Sequence, residues 1–164
     1  MNRNQAFPNF SGLFRGRPHA FANIRGSNRY PDIQGQVRFY QTLYGVLVVA
    51  ELMGLPMLND PCAIPIYAFH IHEGNSCTGN TRDPFANVRS HYNPDSCPHP
   101  YHAGDLPPVF NSDGYAFSAF LTDRFSVEEI VGRTVILHAG LDDFTSQPAG
   151  TAGVKIACGE IRRR

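Results

Sequence analysis

Six short runs share one signature: GQVRFYQ from Gly35, YGVLVVAEL from Tyr44, IYAFHIH from Ile66, GYAFSAFLT from Gly114, GRTVILHA from Gly132 and VKIACGEI from Val154. Val, Ile, Phe, Tyr and Thr fill them while Gly, Pro, Asn and Asp punctuate the gaps, the pattern of β-strands bounded by turns. Alternation is clearest in VRFYQ, where Val37 and Phe39 share a face. A chain ordered in this way is all-β, and its strands must close on themselves as a sandwich or barrel to bury their apolar faces. FSVEEIVG adds one short helical turn, signalled by the capping-box pair Ser126 and Glu129. Two segments without strand pattern interrupt the series, Gly74 to about Ser112 and Gly140 to Gly153. Loops this long in a compact domain are functional or disordered, and three histidines in the first argue against disorder.

The 164 residues suit one domain with a respectable core. No apolar stretch approaches the length of a membrane-spanning helix; the best, Val46 to Ala50, is strand-sized. Arg15 and Arg17 interrupt any signal-peptide core in the first segment, so a cytoplasmic location with no membrane partner is expected. Residues 1–30, rich in Arg, Asn, Phe, Gly and Pro, read as a flexible arm preceding a domain over 31–164. The formal net charge of zero hides an asymmetry: five arginines and no carboxylate precede Pro31, and residues 31–161 hold six basic against fourteen acidic side chains. A basic arm suggests nucleic acid or an anionic surface. No basic and aromatic pattern continues into the folded body, so nucleic acid is not the expected partner and any contact would be a weak one through the arm.

Six of the seven histidines fall in or beside the strands and the first loop; only His19 stands apart in the arm. His70 and His72 are two apart in a strand, hence on one face and about 6.5–7 Å apart, while Phe69 and Ile71 point into the core. Alone, this pair reads equally as two polar residues on a wet face or as part of a metal site. HYNPDSCPHPYHAGD supplies His91, His99, His102 and Asp105, three imidazoles and a carboxylate that suit tetrahedral Zn²⁺. That segment has too few apolar residues to order itself, and a metal would. His138 closes its strand at a loop mouth; with His70 and His72 it makes an all-imidazole set, which favours copper over magnesium or calcium. The four cysteines, Cys62, Cys77, Cys97 and Cys158, form no C-x-x-C pair, and reduced thiols are the default for a cytosolic chain.

The ordered blocks FHIHEG, HYNP, HAGDLP, GRTVILHA followed by two aspartates, and GVKIACG resemble the copper/zinc superoxide dismutase family over roughly residues 34–161. The resemblance implies an eight-stranded Greek-key sandwich or barrel, immunoglobulin-like in architecture, with two long functional loops. It implies copper on His70, His72, His91 and His138, and zinc on His91, His99, His102 and Asp105, with His91 an imidazolate bridge. Asp142 falls where the family places an aspartate that hydrogen-bonds one copper and one zinc histidine. Cys77 and Cys158 match the family's disulfide, which leaves Cys62 and Cys97 as either a second bridge or two free thiols. The implied activity converts superoxide to dioxygen and hydrogen peroxide, with copper alternating between oxidation states and His91 passing a proton to the product.

The match departs from the family in three places. Lys155 stands where an arginine usually pairs with superoxide, keeping the charge but losing the planar fork. The second loop, GLDDFTSQPAGTAG, has no glutamate or lysine, and the zinc segment is compressed between His99 and His102. These departures keep open an alternative, a non-catalytic metal-binding or structural protein on the same fold; the full ligand set favours the enzyme. Superoxide is the expected partner, and a homodimer is the assembly left open.

Overall fold

All six runs are strands in the computed structural model, which describes residues 16–57, 60, 62–63 and 66–164. In chain order the strands are β1 (Ala20–Gly26), β2 (Gln34–Thr42), β3 (Gly45–Met53), β4 (Ile66–His72), β5 (Asp105–Phe110), β6 (Tyr115–Thr122), β7 (Thr134–His138) and β8 (Lys155–Arg163). One turn of helix, α1 (Val127–Ile130), lies between β6 and β7, and its Ser126–Glu129 capping box is formed as the spacing predicts. The strands pair antiparallel in one sheet, in the order β5-β4-β7-β8-β1-β2-β3-β6. The two edges, β5 and β6, are consecutive in the chain and joined by the tight turn at Asn111–Gly114, so the sheet curls into a nearly closed barrel.

Two strands escape the sequence pattern. The arm expected over residues 1–30 does not hold to its end, because Ala20–Gly26 is β1, hydrogen-bonded to β2 on one side and β8 on the other. Its inward residues Ala20, Ala22 and Ile24 are fully buried, so the alternation is present but carried by alanine, whose small side chain gives little strand signal. The rest of that arm, residues 1–15, lies outside the described residues. β5, DLPPVF, contains Pro107 and Pro108, which cannot donate to a ladder; it is accommodated as an edge strand bonded only to β4. The first long loop therefore ends at Gly104 rather than near Ser112.

The core fills the barrel with one face of every strand: Ile24, Val37, Phe39, Val48, Leu52, Phe69 and Ile71 are among its buried members, with Ile130 of α1 closing one end. A smaller cluster outside the barrel packs Phe85 and Val88 of the first loop onto Ile136 and Cys158, with Cys77 against it. There Cys77 and Cys158 are disulfide-bonded, with Cα atoms 5.7 Å apart and a sequence separation of 81. Cys62, which is exposed, and Cys97 are free thiols, so no second bridge forms. The single bridge pins the outer half of the first loop to β8. Closing a loop of that length is worth about 4–5 kcal/mol by chain entropy. The double substitution Cys77→Ser with Cys158→Ser should lower unfolding stability by up to that amount in urea titration, and an unchanged midpoint would show that the bridge constrains nothing.

Candidate metal centre

Strand geometry delivers the first two histidines. His70 and His72 share one face of β4 with ring centroids 6.4 Å apart, but that face is not wet: both rings are buried beneath the two long loops. His138 ends β7 at a register shift, where Leu137 pairs with Ala157 and His138 with Lys155, so Ile156 is skipped and the bulge re-aims the ring. His91 comes from the first loop, held by a bridge to His72 and by the Tyr92 amide donating to the Ile71 carbonyl at 2.8 Å. His99, His102 and Asp105 follow on the turn leading into β5. The short spacing still brings both rings in, centroids 5.6 Å apart.

Two groups of four result, each with ligand-type atoms within 4.8 Å of one another: His70, His72, His91 and His138, and His91, His99, His102 and Asp105. These are the expected copper and zinc sets, sharing His91. All seven residues are buried.

The hydrogen bonds decide which ring nitrogen each histidine leaves free. His72 Nδ1 donates to the Arg89 carbonyl at 2.8 Å and His138 Nδ1 to the Gly153 carbonyl at 3.2 Å. A carbonyl only accepts, so each ring carries its proton on Nδ1 and presents a bare Nε2. Those two bare nitrogens face each other at 3.3 Å, an arrangement of two lone pairs that no hydrogen bond satisfies and a shared cation does. His70 Nε2 donates to Asp142 Oδ2 at 2.8 Å, which leaves its Nδ1 buried without a partner. His91 Nε2 is likewise buried and unpartnered, while its Nδ1 faces Asp105 Oδ1 at 2.7 Å. His99 donates from Nε2 to Asp142 Oδ1 at 2.8 Å; its Nδ1 lies 3.0 Å from Asp105 Oδ2 without hydrogen-bond alignment. Buried unpartnered nitrogens converging on two points are what a pair of cations would satisfy, and the donors, four imidazoles at one and three imidazoles with a carboxylate at the other, suit copper and zinc.

Electrostatics agree with neutral rings and ionised carboxylates. Burial, and then the neighbouring His70, push His138 down to about 3. Burial likewise lowers His70, and lowers His72 far below the usual imidazole range with help from His91 and His138. Burial works against charge on Asp142, yet hydrogen bonds from His70, the Phe144 amide and His99 hold it at about 2. Asp105 is also lowered, its burial outweighed by His91.

Several supporting groups carry no sequence signal. Gln147 clamps His99 from the second loop, accepting from its amide at 3.0 Å and donating to its carbonyl at 2.6 Å. Arg124 donates to the Asp105 and Pro100 carbonyls, both at 3.2 Å. The Arg89 and Gly153 carbonyls are backbone atoms that any residue supplies. Gly150, at φ +68°, leaves the room that Asp142 needs: a Cβ there would lie 2.0 Å from Oδ1. Lys155 reaches the cavity over His72 and His138, but its ammonium is paired with Asp83.

These shifts fix the sign of an acid dependence in the metal-free protein. Folding keeps His70, His72 and His138 neutral, so the unfolded chain takes up protons first as pH falls below its imidazole value of about 6.5. The stability they contribute is full above that pH and is lost on the way down to the folded values, about 3 for His138. Asp105 and Asp142 act in the same direction below the usual carboxylate value. Urea midpoints of the metal-free protein should fall steadily between about pH 6.5 and 4, and a flat profile would contradict the neutral-ring assignment.

Comparison with known proteins agrees with this geometry. The family model described as copper/zinc superoxide dismutase matches residues 33–161. The chain is 32% identical to superoxide dismutase [Cu-Zn] 2 of Aquifex aeolicus over 82% of each chain, and 33% identical to superoxide dismutase [Cu-Zn] of Legionella pneumophila over 80% of each. It is 32% identical to the Escherichia coli K12 superoxide dismutase [Cu-Zn], covering 74% of this chain and 80% of that one. Fold, paired histidine groups and sequence together place the chain in the copper/zinc superoxide dismutase family.

Proposed function

We propose that this chain is a superoxide dismutase, with copper held by His70, His72, His91 and His138 and zinc by His91, His99, His102 and Asp105. The observation that carries the reading is the set of ring nitrogens left bare by hydrogen bonds on their far sides. Two superoxide anions and two protons give one dioxygen and one hydrogen peroxide. Bound copper would supply the alternating one-electron exchange, and zinc a fixed positive charge without redox chemistry.

The protein's own part follows from its contacts. His72 and His138 are oriented by carbonyls, and His70 and His99 by Asp142, so the four rings are set before any ion arrives. His91 is suited to moving the proton: its Nε2 is buried and unpartnered, while its Nδ1 faces Asp105 Oδ1 at 2.7 Å. It takes a proton at Nε2 and gives it to the departing peroxide. A cavity of about 590 Å³ opens over His72, His91 and His138, ample for a small anion and water. Lys155 also lines it and adds positive charge, a field reduced by its pairing with Asp83.

Superoxide decay should be measured with protein carrying both metals, metal content being assayed on the same sample. Rapid copper-dependent decay that falls more than about 100-fold in His138→Ala is the expected result. A fully loaded protein without turnover would reject the enzyme and leave metal binding as the function.

The same proposal places the protein in the cytoplasm as a member of the bacterial type, the latter supported by the relatives in Aquifex aeolicus, Legionella pneumophila and Escherichia coli. In a bacterial host it should fractionate with cytoplasmic markers, and release by osmotic shock would overturn that placement.

A further inference from the structure

We infer that Arg89 is the cation that draws superoxide to the mouth of the copper group and positions it there, a role resting on the dismutase reading above. Arg89 has φ 63° and ψ −148°, a conformation reserved almost entirely for glycine. The surrounding backbone imposes it. The Arg89 carbonyl takes the His72 Nδ1 proton at 2.8 Å, the Glu73 amide donates to the Ser90 carbonyl at 2.9 Å, and the Gly74 amide donates to the Val88 carbonyl at 2.7 Å. Glycine would make each of these bonds without strain, so they do not account for a side chain at this position. The side chain itself is exposed and lines the cavity with His72, His91, His138 and Lys155. Among the described residues its guanidinium has no hydrogen-bond or ion-pair partner, whereas the Lys155 ammonium is taken by Asp83.

The cavity thus offers an anion one unneutralised cation beside His72, His91 and His138. Glu73 is the one carboxylate in its lining and opposes that field. Residues 16–164 carry twelve basic against fourteen acidic side chains, a near balance that offers an anion little overall attraction, so a local charge is the means by which this chain attracts one.

Arg89→Gly, Arg89→Lys and Glu73→Gln in the full chain, loaded with copper and zinc, separate charge from carbonyl support. Three quantities are read: the superoxide rate constant against ionic strength, azide affinity from the visible copper spectrum, and melting temperature. Arg89→Gly should melt no lower than the wild type, yet lose about three- to tenfold in low-salt rate and in azide affinity. The rate deficit should shrink as salt screens the charge. Arg89→Lys should retain most of both quantities, and Glu73→Gln should raise them. An Arg89→Gly variant with unchanged rate and azide affinity overturns the proposal. So does an equal loss at every salt concentration with a lowered melting temperature, which would assign Arg89 a purely structural role through His72. A loaded wild type that binds azide but does not turn over would reject the dismutase reading instead, and azide affinity would still judge Arg89.

Discussion

Asp142 stands between the two histidine groups, taking the Nε2 proton of His70 on one oxygen and that of His99 on the other, both at 2.8 Å. Through it a strand ligand and a loop ligand share one anchor, and the tautomers of both rings are fixed at once. The second loop is built to keep that carboxylate in place. Its Oδ1 also accepts the Phe144 amide, and neighbouring Asp143 gathers the Thr145 and Ser146 amides with the Ser146 and Thr151 hydroxyls. Gln147 then ties the same loop to the backbone of His99. Removing the carboxylate would leave two buried ring N–H groups without acceptors, which is why the geometry of both groups depends on it.

The ligands were the legible part of this chain, since imidazole and carboxylate side chains are named by the sequence and the period of two put His70 and His72 on one face. What the spacing did not reveal is their support, because it comes from main-chain atoms. The carbonyls of Arg89 and Gly153 orient two ligands, yet any residue has a carbonyl, and only the conformation aims it. The strands show a similar limit. β1 was hidden because its inward positions are mostly alanine, and β5 because two prolines mask an edge strand. The Cys77–Cys158 pairing is legible through the family likeness and not through spacing, whereas the free state of Cys62 and Cys97 shows only in the folded protein.

The ring arrangement has an energetic side. Two bare nitrogens 3.3 Å apart and others buried without partners are unfavourable until a cation joins them. Any metal that binds this arrangement and not the unfolded chain adds its binding free energy to stability, so loading and folding are linked.

The pairing of β1 with β8 shapes how the molecule comes to be made. Ala22 opposes Ile161 and Arg25 opposes Cys158, contacts that join nearly the two ends of the described chain. A barrel closed in this way has high contact order, and its loop-closure entropy must be overcome before the pairing gives any return. During synthesis β1 leaves the ribosome early and can complete its ladder only when the last strand emerges. Until then one of its edges is unpaired, and the nascent chain must be kept from other sheet edges throughout its translation.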